Sequence, residues 1–472
     1  MNRLPECLYN PENPPINWLP LTTHTQGGSI MQYKAYTIAN FRNLPQASSL
    51  SEEQLRDIEI VGSVFPFRVN NYVADRLIDW SRVPEDPMFI ATFPQKEMLV
   101  PKDYRAMARL FQTGADRDAI HNAVNQIRLR LNPHPAGQQE YNTPIFEGKH
   151  LNGVQHKYRQ TILLFPQHGQ NCHAFCTFCF RWPQFTGLEE LKIASSANHD
   201  ISAYIAKHPE ITDVLITGGD PLIMKTRILE KYIEPLLSPE LSNIRAIRIG
   251  TRTLTYWPYR FLTDDDSGEL LKLFQRIRKS GKHLAFMAQF NHPVELETDE
   301  VREAITKIQD AGAIIRTQSP LLRHINADPH IWAEMWQKQV SLNCIPYYMF
   351  IARNTGAQHY FSVPLVEAWQ IYKQAYQSVS GLCRTVRGPS MSCLPGKIQV
   401  TGVHDVCGEK VIGLQMLQGR NPDWVRRPFF AEYDGNATWY TDLKPAFGEK
   451  GFFFTEELEQ ILDPREFETG FE

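Results

Sequence analysis

Cys172-His173-Ala174-Phe175-Cys176-Thr177-Phe178-Cys179 is the stretch on which the reading of this chain turns. It sets three thiols on one short loop, just after an apolar run at 161–165 with the composition of a buried strand. Three thiolates so close together suit a soft, thiophilic centre, either zinc or an iron–sulfur cluster. Structural zinc usually takes four ligands as two separated pairs. Here Cys7, Cys344, Cys383, Cys393 and Cys407 are scattered and form no second pair. Three ligands from one loop would leave one iron of a four-iron cubane free of protein, an open position for chemistry.

Working outward, short apolar strand candidates recur at 161–165, 214–217, 246–250, 285–289, 314–317 and 347–350. Amphipathic stretches at 201–207, 227–236, 268–279, 299–310 and 331–339 lie between them, and 363–378 would follow the sixth strand. Strands alternating with helices predict a parallel sheet with right-handed crossovers. The expected fold class is therefore α/β, a partial (β/α)6 barrel occupying 158–380. Residues 1–157 read as a largely helical extension, with a helix over 49–60 and two more over 103–131, ended by Asn132-Pro133-His134-Pro135. Residues 381–472 read as an irregular extension, in which the aromatics of 424–440 are expected in a core.

A formal net charge of -3 over 472 residues predicts no general attraction for nucleic acid. The first residues lack a secretory leader's apolar stretch. No run approaches the roughly 18 apolar residues of a membrane span. Eight cysteines in a chain of this length are too few for a disulfide scaffold, so the expected setting is the reducing cytoplasm.

The C-x3-C-x2-C spacing, with Phe178 just before the last cysteine, resembles the radical S-adenosylmethionine (SAM) superfamily. That resemblance implies a [4Fe-4S] cluster on Cys172, Cys176 and Cys179, whose open iron chelates SAM and whose reduced form yields a 5'-deoxyadenosyl radical. It sets Phe178 against the adenine. The run Val214-Leu215-Ile216-Thr217-Gly218-Gly219-Asp220-Pro221 puts two glycines where a buried strand ends, on the face where barrel sites form. It is similar to the superfamily's motif for the SAM amino group, which makes Gly218, Gly219 and Asp220 candidates.

Arg248-Ile249-Gly250-Thr251-Arg252-Thr253, Phe290-Asn291-His292-Pro293-Val294-Glu295, Thr317-Gln318-Ser319-Pro320-Leu321-Leu322-Arg323 and Pro346-Tyr347-Tyr348 resemble the lysine 2,3-aminomutase family. By that resemblance Gln318 contacts SAM, and Gln289 stands in place of a SAM-contacting histidine. Arg181 holds the carboxylate of an amino-acid substrate. The family also uses pyridoxal phosphate (PLP). Leu394-Pro395-Gly396-Lys397-Ile398-Gln399-Val400 is similar to its PLP-lysine segment, making Lys397 the candidate, with Tyr158 on the phosphate side. The implied partners are a small amino-acid-like substrate and an electron donor such as flavodoxin or ferredoxin. A homo-oligomer is compatible with the sequence.

The chain departs from the family in three places. The loop before Lys397 is short and poor in glycine. Thr161 stands where a phosphate-binding arginine is expected, although Arg159 is near. Arg353, and Ser392 or Cys393, replace two aspartates that recognise the distal amine of lysine. A cation there repels an ammonium group and favours a carboxylate, so the expected substrate is an amino acid other than free lysine. The expected function is an aminomutase-like isomerase. The alternative is a PLP-independent radical SAM oxidoreductase, lyase or modifying enzyme.

Overall fold

Ile162 and Leu164 are buried while Leu163 between them is only partly so, the period-two burial of a strand between two layers. The computed structural model describes residues 31–196 and 199–463, and the described residues from 33 onward fall in one compact unit. Its main sheet has eleven strands, each hydrogen-bonded to its neighbour in sequence. They are β1 (Val154–Tyr158), β2 (Thr161–Leu164), β3 (Asp213–Ile216), β4 (Ala246–Thr251), β5 (His283–Gln289) and β6 (Ile314–Leu321). β7 (Ile345–Ile351), β8 (Arg387–Ser392), β9 (Gly396–Val406), β10 (Glu409–Gly419) and β11 (Pro428–Glu432) complete it. From β2 to β8 every neighbouring pair is parallel; β1 and β9–β11 add antiparallel margins.

One face of the sheet presents Ile162, Val214, Ile216, Ile247, Ile249, Phe286 and Ile315, all fully buried. The other presents Leu163, Leu215, Arg248, Gln289 and Gln318, which retain some accessible surface. Helices pack on the apolar face. Asp299–Asp310 shows why: Thr298 caps it by accepting from the Val301 amide, and Val301, Ala304, Ile305 and Ile308 form a single buried stripe. Burying each larger aliphatic chain contributes about 1.5–3 kcal/mol.

The six expected strands are all present, within a few residues of their sequence bounds. The irregular C-terminal extension needs correction. Residues 387–432 hold four further strands, and β8 pairs in parallel with β7 to give a seventh parallel strand. β8 escapes a hydrophobic reading because Arg387-Gly388-Pro389-Ser390-Met391-Ser392 has no apolar run; pairing on both sides holds it extended. The sheet also starts before 158, with β1. Trp424 and Trp439 are buried, as expected, whereas Tyr433 is exposed.

The margins of the sheet meet. The Lys157 ammonium on β1 donates to the Cys393 carbonyl just after β8. In a flat sheet those strands would stand about 34 Å apart, at roughly 4.8 Å per strand. The sheet therefore curls, bringing its partly accessible face inward.

Upstream, Glu52–Val64 begins with a capping box between Ser51 and Gln54, and Pro101–Gln112 and Arg117–Arg130 follow as two helices. Val61, Val64, Met107, Val124 and Ile127 share one hydrophobic cluster with Leu322, Ala352 and Phe361, and Phe178 packs against it. The N-terminal helices thus back the end of the sheet that carries the cysteine loop. The expectations for residues 1–30, including Cys7, lie outside the described residues. No helix among the described residues is long and apolar enough to cross a membrane.

Candidate active site

The parallel strands β2 to β8 end on one side of the sheet, and the loops that leave these ends carry most of the sequence candidates. Ligand sites of parallel α/β folds form on this side. The cysteine loop leaves β2. Its backbone is held by Arg68, which donates to Asn171 Oδ1 at 2.6 Å and to the Cys172 carbonyl at 3.1 Å. Asn70 Nδ2 and Tyr33 Oη both donate to the His173 carbonyl, at 3.2 and 2.7 Å. Thr177 Oγ1 donates to the Ile90 carbonyl at 2.7 Å. The residue order that makes the loop is local, but its shape comes from the N-terminal segment.

Protein encloses all three thiols. Burial pushes Cys179 up to about 12, and neighbouring Cys176 adds to the shift. Burial also raises Cys172, with Asp220, Cys179 and Cys176 contributing, and raises Cys176, against the pull of Arg252. The three sulfurs therefore sense one another. Among the described residues, no three His, Cys, Asp or Glu side chains are grouped to hold a single metal ion.

Gly218 and Gly219 follow β3, with a reason for being glycine on the page. A Cβ on Gly219 would stand 2.4 Å from the Asn171 carbonyl oxygen, and one on Gly218 would stand 2.3 Å from Gln170 Nε2. Gly218 also takes φ +144. The glycines let this loop press onto the root of the cysteine loop. Asp220 closes the contact: its amide donates to the Asn171 carbonyl at 2.7 Å. Its carboxylate accepts from Thr251 Oγ1 at 2.8 Å, the Arg252 amide at 2.8 Å and the Leu222 amide at 3.0 Å. Protein groups occupy both of its oxygens, so Asp220 braces three loops.

Beyond β4, Arg252 is a buried hub that sequence reasoning quoted without a role. Its guanidinium pairs with Glu295 at 2.6 Å, donates to Asn291 Oδ1, and lies 4.1 Å from the Tyr256 ring centroid and 5.7 Å from that of Phe178. Tyr256 Oη is 3.6 Å from Cys176 Sγ. Phe178 meets Phe361 edge-on at 5.9 Å.

Gln289 and Gln318 are direct register partners across β5 and β6, and Gln318 is in turn opposite Tyr348 on β7. Gln289 Nε2 donates to Asn291 Oδ1 at 3.0 Å. Register shifts fall at Gln318, beyond Tyr348, and between Lys397 and Ile398. Such bulges re-aim side chains and gather beside functional sites.

Lys397 is the second residue of β9, opposite Ser392 on β8. Its Nζ lies 4.1 Å from the Tyr348 ring centroid and 5.5 Å from that of Phe350. Burial lowers its amine to about 7, opposed by Tyr347 and reinforced by Arg248 and Arg387. A buried lysine of this kind is uncharged in part at neutral pH and nucleophilic. Arg181 lies 4.5 Å from the Phe165 ring centroid and 5.0 Å from that of Phe180. The remaining candidate, Tyr158, is enclosed near Tyr348, Cys393, Arg420 and Arg353. Arg159, by contrast, is exposed. Lys157 and Arg420 were not singled out from the sequence, where isolated basic residues carry no signal of burial.

No family model matches the chain. A protein of Aquifex aeolicus (strain VF5), provisionally named L-lysine 2,3-aminomutase, is 32% identical over 356 residues, covering 75% of this chain and 83% of that protein. The L-lysine 2,3-aminomutase of Clostridium subterminale is 28% identical, over 56% of this chain and 60% of its own length. The glutamate 2,3-aminomutase of Clostridioides difficile (strain 630) is 30% identical, over 45% of this chain and 47% of its own length. A radical SAM methyltransferase of Sphaerobacter thermophilus aligns in structure at 12% identity and TM-score 0.33, covering 76% of this chain and 94% of that one, too loosely to argue from. The first of these relatives covers enough of the chain, at sufficient identity, for the cysteine loop and the strand-end motifs to be read with it: the chain belongs to the radical SAM, lysine 2,3-aminomutase-like family and is an enzyme of the aminomutase-like isomerase kind.

Proposed function

We propose that this enzyme migrates an amino group on an amino acid other than free lysine, using a [4Fe-4S] cluster, SAM and PLP, within an open barrel made by the curled parallel sheet. The observation that carries the PLP part is the Lys397 amine, enclosed, held near 7, and facing Tyr348 on the sheet's inner face.

The residues present fit these groups. Three soft thiols that sense one another on one loop suit a cluster, and burial raises their pKa in a way that a bound metal would reverse. When bound, the cluster with SAM supplies a radical that abstracts hydrogen, and PLP supplies a temporary attachment for the moving nitrogen.

The chain's own residues do the rest. Cys172, Cys176 and Cys179 would ligate three irons. Gly218, Gly219 and Asp220 would shape the SAM side, with Gln289 and Gln318 presenting amides beside it and Phe178 supplying an aromatic wall. Arg181, buried without a carboxylate partner among the described residues, would orient the substrate carboxylate. Lys397 would hold PLP between turnovers, with Tyr158 on the phosphate side. The inner wall would have to exclude water and stray hydrogen donors from the radical. A flavodoxin or ferredoxin in a reducing cytoplasm would deliver the electron.

The test is anaerobic reconstitution with PLP, borohydride reduction and peptide mass mapping. A pyridoxyl adduct on Lys397 is expected. An unmodified Lys397 in a protein that still cleaves SAM would overturn the PLP reading in favour of PLP-independent radical chemistry.

A further inference from the structure

Lys157, Arg353 and Arg420 converge behind the candidate site, where the curled sheet brings β1 against the loops after β7, β8 and β10. Lys157 donates to the Cys393 carbonyl, and Arg420 Nε donates to the neighbouring Leu394 carbonyl at 2.9 Å. Two of the four Nη hydrogens of Arg420 go to the Tyr141 carbonyl at 3.1 Å and Asn142 Oδ1 at 2.6 Å. Arg353 lies 5.0 Å from the centroid of Phe180, the ring that Arg181 also covers at 5.0 Å. Its Nε is buried with no hydrogen-bond partner, and its nearest acceptor, the Pro135 carbonyl, is 3.5 Å from Nη2.

No carboxylate among the described residues answers these charges. None of the three forms an ion pair among the described residues, and the ionisable neighbours they sense are one another, Lys397, Cys393, Tyr158 and Tyr141. Burial pushes the Cys393 thiol and the Tyr158 phenol upward, so neither supplies a negative charge at neutral pH. Burial also lowers Lys157 well below its usual value and Arg420 to about 10, the response of cations that lack a counter-ion. All three retain some accessible surface although protein surrounds them. Buried charges this close persist only when an anion compensates them.

On the proposed reading two anions would enter this site: the phosphate of PLP and the acidic groups of a substrate. Arg181 and Arg353 share Phe180, and Lys157 senses Lys397, so the cluster lies between the residue assigned to the substrate carboxylate and the candidate PLP lysine. We propose that Lys157, Arg353 and Arg420 form an anion subsite for a second acidic group of the substrate, so that the substrate is an acidic amino acid; this rests on the aminomutase-like reading of the site.

The test is calorimetric titration of the cluster-loaded protein, with and without PLP, using L-glutamate, L-2-aminoadipate, L-norvaline and L-lysine. One of the two acidic amino acids is expected to bind about ten-fold or more tightly than L-norvaline, a scale set by charge-assisted hydrogen bonds. That ratio should fall toward one in R353M and R420M and be partly kept in R353K, while borohydride labelling of Lys397 is retained. Should R353M fail to fold, the wild-type ratio and R353K decide. Equal binding of acidic and neutral amino acids overturns the proposal. So does loss of Lys397 labelling in R353M, coupled with inorganic phosphate that binds the PLP-free wild type but not R353M; the cations would then hold the cofactor. An acidic preference that depends on Arg353 in a protein whose Lys397 never labels supports the subsite and overturns the PLP reading alone.

Discussion

Lys397 Nζ lies 4.1 Å from the ring centroid of Tyr348, although β8 separates the strands that carry them. The amine therefore leans across a strand onto an aromatic face, and an enclosure shared with Arg248 and Arg387 sets its chemistry.

That enclosure has a pH signature. The folded amine titrates near 7 and the unfolded one near 10.5, so between those values only the unfolded chain binds the proton. Stability gains with rising pH across that window, and the penalty is full below it. K397M is expected to be more stable than the wild type at pH 6, by up to about 5 kcal/mol in the PLP-free protein. The gap should close toward pH 10, as read by urea unfolding at both pH values.

Iron content separates the clustered cysteines from the others. C172A, C176A and C179A should each lose most of the reconstituted iron and its visible absorbance. C344A should keep both, because Cys344 is buried elsewhere with its thiol directed to the Leu342 carbonyl.

The buried Arg252–Glu295 pair, at 2.6 Å, is a second target. E295Q leaves a guanidinium uncompensated beside Cys176 and should cost about 3 kcal/mol or more, with R252M similar. The double variant R252M/E295L should be less destabilised than the sum of the singles; a strictly additive thermal-melt series would rule out direct coupling.

Asp220 supports a stricter test of bracing. D220N keeps the shape but presents an NH2 to a site lined by two amide donors and a hydroxyl, an unsatisfied contact of about 1–3 kcal/mol. The expected outcome is a lower Tm together with weaker SAM binding. SAM binding lost at an unchanged Tm would instead make Asp220 a direct ligand.

Much of this was legible in the chain itself, for reasons that differ by element. The runs from Ile162 to Ile249 read as strands because a strand buried between layers is apolar. The cysteine triplet was legible because its chemistry is local. β8 was not: Ser390 is fully buried there, but its polar sequence is extended only because β7 and β9 hold it. The roles of Arg252, Lys157 and Arg420 were hidden too. A basic residue at one position has no periodicity, and its burial depends on partners up to 279 positions away, as for Arg420 and Tyr141.

The register of β9 bears on how such a site can vary among relatives. Ser392 faces Lys397, and the Cys393 amide closes the turn on the Gly396 carbonyl at 2.7 Å. Lys397 is thus fixed by a ladder on each flank and owes nothing to the length of the turn ahead of it. Residues can be gained or lost between 393 and 396 while the amine stays in place, so the turn is free to diversify. A single residue gained inside β9 ahead of Lys397 would instead send the amine to the outer side of the sheet. Length variation in the one segment leaves the amine where it is; in the other it carries the amine through the sheet.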